Sequence, residues 1–143
     1  MGQPIFPRPV KLLIALLSAD TIFFTEAEKD LAKTYGPIDF ASEVFPWDLT
    51  AYYREEMGEN LLRKFIAFEH LIPPEELVRI KLETNEKERL LSGATSDDEP
   101  RRINLDPGYI DETKLVLAST KDQAHRLYLS QGIYAEVTLL YHH

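Results

Sequence analysis

Cysteine is absent from the sequence, which excludes disulfide bonds and thiolate metal sites and is typical of proteins of the reducing cytoplasm. Also absent is any apolar run close to the roughly 20 residues that a membrane-spanning helix requires. The most apolar stretch, VKLLIALLSA at residues 10–19, is short and continuous, so it is predicted to form a first buried strand rather than a signal segment. We therefore expect a cytoplasmic protein without a membrane partner.

Basic residues are outnumbered by acidic ones, 16 against 24, and the net charge is −8 at pH 7. Such a chain is repelled by a phosphate backbone unless its basic residues are gathered on one surface, so no nucleic-acid partner is predicted. The sequence also lacks a glycine-rich phosphate loop, zinc-ligand spacing and a Gly-x-Ser-x-Gly elbow. No metal and no cofactor is assigned on this basis.

The length of 143 residues and the hydrophobic content of 44% fit one domain spanning residues 1–143. Its fold class is predicted as α+β, with a mainly antiparallel sheet and two main helices in a ferredoxin-like split βαβ arrangement. The order that leads to this prediction is strand 10–18, helix 25–37, strand 38–46, strand 61–72, helix 73–93 and further strands.

Capping signals set the predicted ends of the two helices. Thr25 and Glu28 form a capping box at the start of the first helix, and Gly36 supplies its left-handed end. Pro74 suits the first turn of the second helix, and Gly93 marks its end.

A C-terminal β-hairpin is predicted around a three-residue loop at residues 130–132, in which the last residue is a left-handed glycine. This register places Tyr128 opposite Tyr134 and Arg126 opposite Glu136. Aromatic pairs and opposite charges at facing positions stabilise antiparallel strands. A two-residue loop is expected to disrupt both pairs.

The stretch NLDPGYIDETKLVLASTKDQAHR, residues 104–126, combines two Lys, one Arg, one His, one Asn and four acidic side chains. Its Asp106-Pro107-Gly108 segment is typical of a tight turn at a strand end. An alternative interpretation places Asn104 and Asp106 at the mouth of a site that holds a metal or a sugar hydroxyl. A single carboxylate is weak evidence for a metal.

Residues 119–126 offer a second feature, because Ser119 or Thr120 can cap a short helical turn. Free amide groups at a helix start, together with Lys121 and Arg126, form a natural anion site. His125 is interpreted either as a histidine at the edge of the core or as a general acid or base.

The leading hypothesis is therefore a small-molecule site within residues 104–126 that binds a phosphate-bearing or other anionic ligand. Lys114, Lys121 and Arg126 are assigned to the anionic group and Asn104 to ligand binding, with Asp106 and His125 as candidate catalytic residues. These assignments are compatible with an enzyme and with a binding protein.

Two further interpretations stay open. The chain is alternatively a non-enzymatic homo-oligomeric module, because the apolar strand at residues 133–141 would be a liability as an unprotected sheet edge and is suited to pairing in a homodimer. An aromatic segment contains Trp47, Tyr52 and Tyr53. It suits either a lid over a sugar or a base, or a packed connection.

Several segments, among them YGPIDFASEVFPWDLTAYYREEMG, NLDPGYI and KLVLASTKDQAHRLYL, resemble a bacterial family described as domain of unknown function 4416. The resemblance covers nearly the whole chain and is most specific at residues 104–126. It implies a small soluble bacterial protein. It supplies no activity, so no site residue is carried over from the family.

Overall fold

The computed structural model of the chain describes residues 1–47 and 57–142. Within them the chain forms eight β-strands and two α-helices. In chain order these are β1 (Val10–Ser18), α1 (Thr21–Tyr35), β2 (Ile38–Ala41), β3 (Phe45–Pro46), β4 (Leu62–Ile72), α2 (Leu77–Leu91), β5 (Asn104–Ile110), β6 (Lys114–Ser119), β7 (Leu127–Ser130) and β8 (Ile133–Leu140). A 3₁₀ turn, Pro74–Glu76, leads into α2.

All eight strands belong to one sheet in the order β2-β4-β1-β5-β6-β8-β7, and β3 pairs with β4. Every strand pair is antiparallel. The predicted α+β class, with an antiparallel sheet and two main helices, is confirmed.

Strand β1 lies in the middle of the sheet and organises the core. Its side chains Leu12, Ile14 and Leu16 are fully buried in a cluster that includes Leu31 of α1 and Ile80 of α2. The residues between them are buried as well, which explains why the strand reads as a continuous apolar run rather than an alternating one. Both helices therefore pack against the same face of the sheet.

The first helix begins earlier than its capping box predicts. Asp20 is the N-cap, and its Oδ1 accepts a hydrogen bond from the Ile22 N–H at 3.0 Å. The predicted start at Thr25 is wrong, because Phe24 is buried against the core and the chain is helical before it. The predicted end is right: Gly36 has a φ of 95° and its N–H donates to the Ala32 carbonyl.

The predicted Asp106-Pro107-Gly108 turn is wrong, since these residues lie inside strand β5. Gly108 is required there by close approach and not by a positive φ. A Cβ atom at this position would lie 2.4 Å from the Val116 carbonyl oxygen on β6. Gly108 thus permits β5 and β6 to approach closely, and the chain does not reverse at this point.

The predicted helical turn within residues 119–126 is also wrong, since this segment contains no helix. The Ser119 Oγ accepts from the Lys121 N–H at 3.2 Å, and the Arg126 N–H donates to the Gln123 carbonyl at 3.0 Å. Side-chain and backbone turns replace the expected helix start, so an anion site built on helix amides is not available here.

Strands β7 and β8 form the predicted hairpin with a different loop. Gln131 and Gly132 have φ values of 52° and 79° and form a two-residue turn. Tyr128 nevertheless pairs with Tyr134, with ring centroids 5.2 Å apart. The reason is that the register shifts between Tyr128 and Ser130, so Leu129 lies between two paired residues. The predicted tyrosine pair is confirmed, whereas the expectation that a two-residue loop disrupts it is wrong.

The segment predicted as a single strand at residues 38–46 is divided between β2 and β3, both paired with β4. Trp47 follows β3 directly, whereas Tyr52 and Tyr53, the other members of the suggested aromatic lid, lie outside the described residues. Neither helix in the described part of the chain combines the length and apolar character needed to cross a membrane.

Candidate functional site

A cavity of about 720 Å³ opens where strands β5 and β6 separate. The two strands pair only over residues 108–110 of β5, while residues 104–107 are paired with β1 on the other side. Helix α2 runs along the edge of β5 that β6 leaves unpaired. There the Glu88 carboxylate accepts a hydrogen bond from the Leu105 N–H at 2.6 Å. The end of β6 and the middle of β8 complete the wall.

The cavity lining is rich in charged side chains of both signs. Among the described residues, five basic ones line it: Arg63, Lys81, Arg101, Lys121 and Arg126. Five acidic ones also line it: Glu86, Glu88, Asp97, Asp106 and Glu136. The whole chain has 16 basic and 24 acidic residues, so the cavity is electrically balanced within an acidic protein.

Asp106 is the centre of the charged cluster on the floor of the cavity. The Asn104 side-chain amide donates to Asp106 Oδ2 at 2.7 Å. The two residues share a face of the sheet because residues two positions apart in a strand point to the same side. Lys81 Nζ lies 3.5 Å from Asp106 Oδ1, and Arg63 Nη1 lies 4.0 Å from Oδ2. Lys81 and Arg63 are each 6% exposed, so the carboxylate provides the charge partner that buried cations require.

Arg63 is held in place by an aromatic ring as well as by charge. Its guanidinium carbon lies 4.5 Å from the centroid of the Trp47 ring, in a cation–π arrangement. Trp47 follows the short strand β3, which pairs with β4 at Arg63. The pairing of these two strands therefore sets the position of one basic side chain in the cavity.

Glu88 is the most perturbed carboxyl group in the cavity. Burial raises its pKa to about 7, although the hydrogen bond from Leu105 and the charge of Lys81 act in the opposite direction. The side chain is 7% exposed. A carboxyl group with a pKa near neutral pH exists in both protonation states under ordinary conditions, as acid–base groups of enzymes do.

The rim of the cavity is organised around Glu136 of β8. Its Oε1 accepts from Arg126 Nε at 3.1 Å and lies 2.7 Å from His125 Nε2. Arg126 Nη1 also donates to the Lys121 carbonyl at 3.1 Å. Burial acts to raise the pKa of Glu136, but the hydrogen bonds from Arg126, Thr138 and His125 outweigh it and leave the pKa lowered.

Four of the six side chains predicted for the site, Asn104, Asp106, Lys121 and Arg126, line this cavity. The predicted facing of Arg126 and Glu136 is confirmed by their hydrogen bond. His125 is not a lining residue and contacts the cavity through Glu136. Lys114 lies at the opposite end of β6, with its Nζ 3.2 Å from Asp111, so the structure does not bring it to the other predicted residues.

The described residues contain no group of three or more His, Cys, Asp or Glu side chains placed to hold a metal ion. A family model for a domain of unknown function (DUF4416) matches residues 8–143. The chain belongs to this family. No curated protein and no solved structure matches the chain.

Sequence reasoning missed six charged cavity residues of this DUF4416 chain: Arg63, Lys81, Glu86, Glu88, Asp97 and Arg101. In α2 a signal was available, because Lys81, Thr84 and Glu88 continue the inward stripe that begins at Leu77, and all four are buried. Charged residues on the buried face of an amphipathic helix indicate a polar site beneath it. Arg63 has no comparable signal, because its place in the cavity follows from the order of strands in the sheet.

Proposed function

We propose that the cavity binds a small molecule that carries a phosphate or another oxyanion. The observation that supports this is the gathering of basic side chains in one place: five of the chain's 16 basic residues line this cavity, alongside five acidic ones, counted among the described residues. Guanidinium and ammonium groups are the usual partners of oxyanions. Lys121, Arg126 and Asn104 keep their assignment as ligand-binding residues, and Lys81 and Arg63 join them.

The size and composition of the cavity support a ligand larger than a single ion. Its volume of about 720 Å³ lies within the roughly 300–1,000 Å³ of small-molecule sites. Asn104, Ser119 and Thr120 add neutral hydrogen-bonding groups to the charged ones. A phosphate ester of a sugar or a nucleoside offers both an anionic group and hydroxyl groups to such a lining.

A thermal-shift panel of inorganic phosphate, sulfate, sugar phosphates and nucleotides tests this proposal. A ligand present at about 100 times its Kd stabilises the folded chain by about 2.7 kcal/mol. In Lys121→Gln, the same ligand should produce a clearly smaller shift, because a charged cavity residue is removed. Lys29→Gln is the matched control, since Lys29 is exposed on α1 and does not line the cavity. Equal shifts in the two variants, or no shift with any anion, would contradict the proposal.

Catalysis is a separate part of the proposal and is assigned to Asp106 and His125. Asp106 lies among the basic residues that would hold the ligand, and His125 acts through Glu136 at the rim. Asp106→Asn and His125→Gln should slow the release of phosphate from any ester that binds while leaving binding measurable. Unchanged turnover in both variants would contradict the assignment of Asp106 and His125. No turnover of any bound ester by the wild-type chain would leave a binding protein rather than an enzyme.

A homodimer is the second candidate function, and strand β8 is the observation that favours it. Strand β7 pairs with β8 only as far as Ala135, while Val137, Leu139 and Leu140 are all more than half exposed. A second copy of the same strand, paired antiparallel about a two-fold axis, would cover this edge. Sedimentation equilibrium should then give twice the chain mass, and Leu139→Lys should halve it. A wild-type monomer would reject this candidate.

We also propose a bacterial cytoplasmic location without nucleic-acid or membrane partners, and a ferredoxin-like arrangement for the first part of the chain. The absence of cysteine and the net charge of −8 support the location and the missing partners. The strand order β2-β4-β1-β5, with α1 and α2 against one face, supports the arrangement. Retention of the protein on an immobilised oligonucleotide or on anionic vesicles would contradict the partner assignment.

A further inference from the structure

Glu88 occupies a position in the cavity that packing alone does not explain. It lies on the buried stripe of α2, lines the cavity and is 7% exposed. In the part of the chain that the structure describes, the one hydrogen bond to this carboxyl group is donated by the Leu105 N–H to Oε1. That bond engages Oε1, and no hydrogen bond to Oε2 is found among the described residues. Oε2 is therefore the oxygen that remains for a molecule in the cavity.

The charges around Glu88 come from three elements. Lys81 precedes it on α2, Asp106 faces it from β5, and Arg101 lies in the segment before β5. Lys81 and Arg101 would also attract a bound oxyanion. An ionised Glu88 beside that oxyanion would repel it, because like charges interact strongly where water is excluded. A neutral carboxylic acid instead has a proton to donate.

We infer that Glu88 is a ligand-binding residue of this cavity, and that its neutral carboxyl group donates a hydrogen bond from Oε2 to an oxygen of the bound oxyanion. This inference rests on the proposed function and narrows the ligand class. The site would favour a fully ionised oxyanion, such as a sulfate or the dianion of a phosphate ester, because the donor proton comes from the protein. Binding then requires Glu88 to hold a proton.

The consequence is a pH dependence of affinity that originates in the protein. Ionisation of free Glu88 competes with binding, so the apparent affinity should fall about tenfold per pH unit once the pH exceeds the pKa of the carboxyl group. Sulfate is the appropriate probe, because its own charge does not change near neutral pH, whereas inorganic phosphate titrates there.

The experiment is a titration of the full chain with sulfate by calorimetry at several values between about pH 6 and pH 9. Wild-type affinity should fall steeply above about pH 7. Glu88→Gln should bind sulfate with nearly constant affinity over the same range, since an amide donates without titrating. Glu26→Gln is the matched control, because Glu26 is exposed on α1, and it should retain the wild-type pH profile.

A second measurement does not depend on the folding of any variant. At about pH 8, titration of the wild-type chain in two buffers with different ionisation heats should reveal uptake of nearly one proton per sulfate. Constant wild-type affinity, a steep profile in Glu88→Gln or the absence of proton uptake would overturn the role of Glu88 while the proposed function stands. Failure of sulfate and every other anion to bind at any pH would overturn both.

Discussion

Replacing Glu88 by Gln should remove a pH-dependent loss of stability from the chain. Burial raises the pKa of Glu88 from the usual 4.5 to about 7. Between these values the folded chain keeps a proton that the unfolded chain releases, so the free energy of unfolding falls as the pH rises. The difference corresponds to about 3 kcal/mol at 1.36 kcal/mol per pKa unit, and the loss is complete above about pH 7.

Urea unfolding of the wild type and of Glu88→Gln at about pH 4, 6 and 8 measures this effect. The Gln side chain still has an oxygen that accepts from the Leu105 N–H, so the comparison isolates the ionisation of Glu88. The difference in unfolding free energy between variant and wild type should move by about 3 kcal/mol in favour of the variant between about pH 4 and pH 8. A difference that stays constant with pH would show that Glu88 does not ionise with a raised pKa in the folded chain.

The other predictions concern backbone and turn positions. Gly108→Ala should lower the free energy of unfolding by about 1–3 kcal/mol through overpacking, because the new Cβ would lie 2.4 Å from the Val116 carbonyl oxygen. Gly132→Ala has open space around the new Cβ and a φ of 79°, so only about 1 kcal/mol of backbone strain is expected; the reverse order in urea unfolding would contradict this account. Asp111→Asn should lower the Tm at neutral pH, since hydrogen bonds from the Thr113 backbone and side chain lower the pKa of Asp111 to about 2. That stabilisation is present above the usual 3.8 and is lost as the pH falls through about 2, so the Tm difference between variant and wild type should narrow in acid, and a constant difference would count against it.

The fold could be predicted from the sequence where local signals and tertiary packing agree. Gly36 ends the first helix with the positive φ that glycine adopts readily, and the Tyr128–Tyr134 pair forms because neighbouring strands interact locally. Prediction failed where long-range packing overrides a local signal. Buried Phe24 extends the first helix ahead of its capping box, and Gly108 lies in a strand because β1 and β6 pair on either side of it.

Only the cavity residues that lie close together in the sequence could be predicted. Asn104 and Asp106 share a face because the side chains of a strand alternate between its two sides. Lys121 and Arg126 lie on one short connection. The remaining charged partners come from β4, from α2 and from the connection between α2 and β5. They are placed by the order of strands and by the packing of α2 along the unpaired part of β5. Single-sequence patterns contain little information about such long-range placement.

The location of an oxyanion bound in the cavity lined by α2, β5 and β6 can be observed directly. Sulfate added to the isotope-labelled full chain at about pH 6, where Glu88 holds its proton, should shift the NMR signals of backbone amides at the cavity. The largest shifts are expected at Leu105, Thr120 and Lys121, with little change along α1. Shifts confined to α1 or to the β7–β8 hairpin, or no shifts at saturating sulfate, would contradict binding in this cavity.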